Sequence, residues 1–97
     1  MDGQIDWSFA EAHMWSRHRV LVQWAREALH DSRGLILDPD PAGRSGSSVR
    51  LIGYSQKANC VLAVIVVRYR DKMFAASAWK ANREQTRMYQ EGVRDHD

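Results

Sequence analysis

The sequence predicts one α+β domain over residues 1–97, with two N-terminal helices packed on a three- to four-stranded antiparallel sheet and a C-terminal helix. Three observations carry that expectation. The run from Cys60 to Val67 is eight unbroken apolar residues rich in β-branched side chains, too short for a membrane span. Apolar side chains at successive positions require cover on both faces, so this run reads as a central strand with strands beside it and a helix layer. Leu21, Trp24, Ala25, Ala28 and Leu29 follow the spacing of a helical stripe. Asn82 followed by Gln85 fits a capping box ahead of a last helix that Gly92 would end.

Taken in chain order, Ser8 and Glu11 also fit a capping box, with Trp7 in the staple position, which predicts a first helix over about Ser8 to Ser16. Phe9, Ala12 and His13 share one face of it, with Met14 and Trp15 elsewhere. Arg17, His18 and Arg19 interrupt the apolar pattern before the second helix, which ends near His30. Leu35 to Leu37 is a short strand. Residues 38–48 have the proline, glycine and serine content of a mobile loop. Asp38 and Asp40 sit at a calcium-like spacing, but a proline follows each and no bidentate glutamate comes downstream, so they read as solvated loop acids. Val49 to Ser55 is a strand with Arg50 and Ile52 on one face. Turns at residues 57–59 and 70–72 then give an antiparallel meander through Met73 to Ala78, and residues 94–97 form a frayed tail.

Composition narrows the function. Cys60 is the single cysteine and lies in the apolar strand, so a buried thiol and a reducing cytoplasm are expected, with no disulfide framework. The first residues carry no leader pattern, and no run reaches the roughly 18 apolar residues of a membrane helix, so neither secretion nor membrane insertion is expected. Residues 1–48 hold five Lys or Arg against seven acids, net −2, whereas residues 49–97 hold nine against five, net +4. A cationic second half suits a polyanion. Lys80, Arg83 and Arg87 stand at i, i+3, i+7 and would form a phosphate ladder if the last helix began early enough to include Lys80. Otherwise they belong to a solvated face with an Arg87 to Glu91 pair.

His13 and His18 are five apart, roughly 140° around a helix, a spacing unsuited to holding one metal from one face. No zinc pattern, glycine-rich phosphate loop or nucleophile elbow is present, so neither a metal nor a cofactor is expected. His13 reads as a packed or partner-facing ring. Metal-free RNA cleavage needs a base for the 2′-hydroxyl, an acid for the leaving 5′-oxygen, and cations for the charge growing on the phosphorus oxygens. His18, Arg50, Lys80 and Tyr89 are the candidate catalytic groups, His18 as acid or base and Tyr89 as a subsidiary donor or stacking group. Arg17, Arg68, Arg83 and Arg87 are candidates for holding substrate.

Trp7, His18 with Val20, Asp38-Pro39, Arg50 with Ile52-Gly53 and Ser55, the central apolar strand, Ser77-Ala78 with Ala81, and Arg87, Tyr89 and Glu91 follow one another in an order that resembles the BrnT family of type II toxins. The resemblance spans about Trp7 to Gly92. It implies a RelE-like fold, ribonuclease activity, RNA as substrate and a DNA-binding antitoxin as partner in a hetero-oligomer, with a homo-oligomer as the other assembly. The chain departs from the family at three places. Arg19 stands where Lys-His-Gly-Val has its glycine, Trp79 where Ser-Ala is followed by arginine, and Ser8 where aspartate is usual. A second reading is an inactive relative that binds an antitoxin-like partner through its tryptophan-rich first half, Trp7, Trp15 and Trp24 together with Trp79.

Overall fold

The computed structural model describes residues 5–44 and 46–96, with side chains up to Gly92. The elements are β1 (Ile5–Asp6), α1 (Glu11–His18), α2 (Val22–Leu29), β2 (Leu35–Leu37), β3 (Ser48–Ser55), β4 (Cys60–Tyr69), β5 (Lys72–Lys80) and α3 (Arg83–His96). The fold is α+β, as expected, but the sheet has five strands in the order β1-β5-β4-β3-β2 and is mixed. Its antiparallel part is the predicted meander plus β2. The addition is β1, which runs parallel to β5 with Ile5 beside Met73 and Asp6 beside Phe74. A strand of two residues has no alternation from which it could be read. Among the described residues no helix is long and apolar enough to cross a membrane.

β4 lies at the centre of the sheet and is covered on both faces, for the reason its sequence implies. Leu62, Val64 and Val66 point toward α1 and α2 and form one core with Trp7, Met14, Val20, Ala25, Ala28, Ala75 and Ala78. Fully burying each large aliphatic there contributes about 1.5–3 kcal/mol. On the opposite face Ala63 and its β3 neighbour Ile52 are also fully buried, and α3 packs against β3 and β4 there.

The two capping boxes have different outcomes. Gln85 N–H donates to Asn82 Oδ1 at 2.8 Å and Asn82 N–H to Gln85 Oε1 at 3.0 Å, as the spacing predicts. Ser8 instead turns backward, giving both its hydroxyl and its N–H to Asp6 Oδ1 at 2.6 and 2.8 Å. Those bonds, the hydroxyl's first, hold the Asp6 carboxyl below the usual carboxylate range. α1 therefore starts late, at Glu11, with Ala10 at its N-cap and no side-chain cap. Phe9 lies outside the helix and is 76% exposed, resting edge-on against Phe74, while Met14, expected off the packed face, is fully buried.

α1 also runs through Arg17 and His18, which the sequence places in a break. Arg19 ends it in the left-handed region at φ 54, a conformation glycine adopts without strain. α3 continues past Gly92 to His96, so the expected tail at 94–96 is helical, and Asp97 lies outside the described residues. Gly92 acts as a packing residue: a Cβ there would come within 2.8 Å of Leu35 Cδ2. The loop 38–48 is tied at both ends. Asp38 pairs with Arg68, and Asp40 N–H donates to Ser48 O at 2.8 Å.

Gly53 on β3 faces α2 so closely that a Cβ would overlap the Ala28 carbonyl. Backbone lies on both sides of this contact, so no side-chain rotation relieves it. Gly53→Ala is expected to destabilise the protein by about 1–3 kcal/mol or more, read as a lower urea midpoint at unchanged slope. A change within about 0.3 kcal/mol would mean that the α2–β3 approach is looser than described.

Candidate active site

A β-bulge decides where the functional side chains point. β5 pairs Ser77 with Ile65 but Ala75 with Val66, so Ala76 is an extra residue in the ladder. The bulge reverses the alternation downstream of it. Ser77 and Trp79 thereby reach the face that carries Arg50 and Ile52, and Lys80 is sent to the face of Leu62.

Arg50 extends across β4 toward this part of β5, with its guanidinium carbon 5.4 Å from the centre of the Trp79 ring. Its strand neighbour is Ile65, whose other neighbour is Ser77. Trp79 lies opposite Ala63, a side chain small enough to let the indole spread inward. The indole N–H donates to Gln85 Oε1 at 3.4 Å, so the capping box of α3 also anchors the ring. Asp40, expected in solvent, is only 7% exposed, and its Oδ1 lies 3.0 Å from Arg50 Nε, although the Nε–H is not aligned for a hydrogen bond. The same oxygen accepts the Ala42 N–H at 3.1 Å, which fixes the carboxylate over Arg50. Asp40 approaches the guanidinium from its Nε side, so the terminal amino groups are the part of the fork with the geometry to meet a phosphate. Ser77 Oγ is buried on this face without a hydrogen-bond partner.

His18 arrives from the other side. β1 flanks β5 only as far as Phe74, so the later part of β5 borders α1, whose last turn places the His18 ring 6.0 Å from Trp79. His18 also packs edge-on against His13, with centroids 5.6 Å apart. The sequence reading separated these rings by their angle around the helix. Helical side chains lean toward the N-terminus, so His18 reaches back over the turn toward His13. Among the described residues no three His, Cys, Asp or Glu side chains converge as a metal centre requires.

Of the residues singled out in the sequence, His18 and Arg50 meet at Trp79. Arg17 is exposed in the last turn of α1, close in sequence to His18 but not part of the indole cluster. The others lie elsewhere. Lys80 ends β5 on the opposite face and is not helical, so no ladder with Arg83 and Arg87 forms. Arg83 and Arg87 are exposed on the outer side of α3, away from Gln85 and Tyr89, and Arg87 lies 3.9 Å from Glu91. Arg68 projects from the helix-covered face of β4 and is held by both oxygens of Asp38, at 2.6 and 3.1 Å. That pairing raises its pKa and engages its fork.

Tyr89 belongs to a separate cluster. Its hydroxyl donates to Asp31 Oδ2 at 2.5 Å, and the same oxygen accepts the Tyr54 N–H at 2.9 Å. Burial first, then the bond to Asp31, pushes the Tyr89 hydroxyl up to about 12. Burial alone would raise the Asp31 pKa, but hydrogen bonds from Tyr89, Tyr54 and Arg33 outweigh it and hold the carboxyl below its ordinary range. These groups border a cavity of about 620 Å³ together with Arg26, Glu27 and Lys57. Glu27 is held ionised there by the Ser55 hydroxyl and then the Lys57 N–H.

Missed in the sequence were Asp40, whose loop composition hides its burial, and the closeness of His13 to His18. Trp79 stood out as a departure from a pattern and as one of four tryptophans, not as the seat of Arg50 and His18. No family profile and no curated protein matches the chain.

The Tyr89–Asp31 bond joins α3 to the end of α2, so its loss should show in stability rather than in chemistry at Trp79. Tyr89→Phe is expected to cost roughly 1–2 kcal/mol at pH 7. A depressed Asp31 contributes stability above its unfolded value near about 4, lost as pH falls through the lower folded one. A raised Tyr89 contributes below about 10, lost as pH climbs through about 12. The difference between wild type and Tyr89→Phe should therefore be widest from about pH 4 to 10 and shrink in acid. A pH-independent difference in urea titrations would contradict this pairing.

Proposed function

We propose that the protein is a BrnT-like toxin, a cytoplasmic endoribonuclease that cleaves RNA by attack of the 2′-hydroxyl without a metal and is neutralised by a DNA-binding antitoxin. One observation carries this reading: His18 and Arg50, from opposite halves of the chain, lie against the same indole. An imidazole and a guanidinium sharing one solvent-bordering surface supply proton transfer and charge stabilisation, the two things that phosphodiester cleavage asks of side chains. Trp79, at the position where the resembling pattern has a cation, supports the reading in another way. Its ring gives Arg50 a cation–π seat, so the positive charge is delivered from β3 instead of β5. Asp40 restrains the guanidinium against rotation.

In this reading His18 handles the 2′-hydroxyl proton, and Arg50 binds the oxygens that gain charge as phosphorus becomes five-coordinate. Trp79 holds both groups in register. Purified protein should cleave RNA equally with and without EDTA and leave 2′,3′-cyclic phosphate ends. His18→Ala should slow cleavage about 10²–10⁴-fold, and Arg50→Ala about 10²–10³-fold. Equal RNA loss in all samples would mark a contaminant and end the ribonuclease reading. Trp79→Ala should lose more activity than Trp79→Phe, since phenylalanine keeps an aromatic face for Arg50. Equal losses would remove the ring from the account.

The second reading, an inactive relative that binds an antitoxin-like partner, draws on another feature. Leu29, Val49, Leu51, Val66 and Met73 line an apolar groove of about 210 Å³ beside Ile36, which is 58% exposed on edge strand β2. Of the tryptophans, Trp7 is buried in the core and Trp24 packs against it, while Trp15 is 46% exposed on α1. Growth arrest on induction, relieved by co-expressing an antitoxin, favours the toxin; harmless accumulation favours the binding module.

A further inference from the structure

We infer that His13 is the second proton-transfer group of the site and works with His18 as an acid and base pair on the scissile phosphate. This rests on the ribonuclease reading and supplies what that reading lacks. Cleavage by 2′-hydroxyl attack needs one group to remove a proton and another to deliver one. Tyr89, the sequence's choice for delivery, is taken up by Asp31 in a cluster apart from Trp79. The His13 ring is exposed to solvent and lies 5.6 Å from that of His18, which in turn lies 6.0 Å from Trp79. Of the neighbouring cations, Arg17 is exposed on α1, Arg19 stacks its guanidinium carbon 5.1 Å from the Trp15 ring centre, and Arg50 reaches Trp79 from β3 paired with Asp40, while Lys80 of β5 leaves from the opposite side of the sheet.

The step balances with these groups alone. His18 enters neutral and His13 protonated. The 2′-oxygen passes its proton to His18 and bonds to phosphorus. The bond from phosphorus to the 5′-oxygen breaks, and that oxygen takes the proton from His13. A 2′,3′-cyclic phosphate and a 5′-hydroxyl leave, and exchange with water resets both rings. Arg50 faces the non-bridging oxygens throughout, and Trp79 keeps His18 from swinging away.

A 5′-bridging phosphorothiolate separates proton delivery from every other role, because a thiolate departs without needing a proton. Wild type, His13→Ala and His18→Ala are compared on an RNA with one ordinary or one sulfur-bridged linkage, with thermal melts confirming that the exposed His13 is dispensable for folding. His13→Ala should cleave the ordinary linkage about 10²–10⁴-fold more slowly, yet cleave the sulfur linkage within about tenfold of wild type. His18→Ala should be slow on both linkages. If His13→Ala is unchanged on the ordinary linkage, or equally slow on both, the inference is overturned while the ribonuclease reading stands. A wild type no faster than His18→Ala on either linkage removes both.

Discussion

A strand that is apolar on both sides constrains everything else in this molecule. β4 must have each face shielded, and its neighbours and helices are arranged to do that. α1 and α2 cover one face along much of its length, through Met14, Ala25 and Ala28 against Leu62, Val64 and Val66. On the other face α3 carries few large apolar side chains and packs over β3 and β4 near Ile52 and Ala63, while the Arg50 end is covered by Trp79 and by the loop that carries Asp40. A sheet face that is apolar at one end and holds a paired, partly buried charge at the other is where a polar site can form at little cost in core. Arg50 is that charge, 16% exposed, and Asp40 relieves its burial.

Two small devices turn this end of the face into a site. The bulge at Ala76 changes which face receives Ser77 and Trp79, and the shortness of β1 leaves the later part of β5 open to the end of α1. Without the first, the indole would point into the helix-covered core; with a longer β1, His18 would be kept away from it. The capping box of α3 then anchors the indole through Gln85. Helix initiation, strand register and site geometry are thus linked in one contact set, and a change in any of them is felt by the others. The Tyr89–Asp31 cluster is held by a different set of bonds, at the far end of β3, and reports on α3 docking.

Legibility in the sequence followed how local each determinant is. The β4 run, the α2 stripe and the Asn82–Gln85 box depend on residues close together, and each was readable. Ser8 carried an equally good signal but had a nearer carboxylate in Asp6, a competition that spacing rules do not resolve. The bulge and β1 are register features, set by partners elsewhere in the chain. Asp40 has loop composition on both sides, so its burial under Arg50 could be known only from the fold. Arg68 and Tyr89 had the right chemistry for phosphate work, but their neighbours Asp38 and Asp31 had claimed it. Residue type alone does not say which cation is still available.

The central proposal is that an RNA backbone binds where His18 and Arg50 meet at Trp79. Its most direct measurement is an NMR titration of the labelled protein with a 2′-deoxy or 2′-O-methyl oligonucleotide, which can bind but not be cut. The account predicts saturable shifts of the Trp79 indole N–H, the His18 and His13 ring protons and the Arg50 Nε–H, with Tyr89 and Lys57 signals unmoved. Shifts confined to the Tyr89–Asp31 cavity, or none at the indole at saturation, would contradict it.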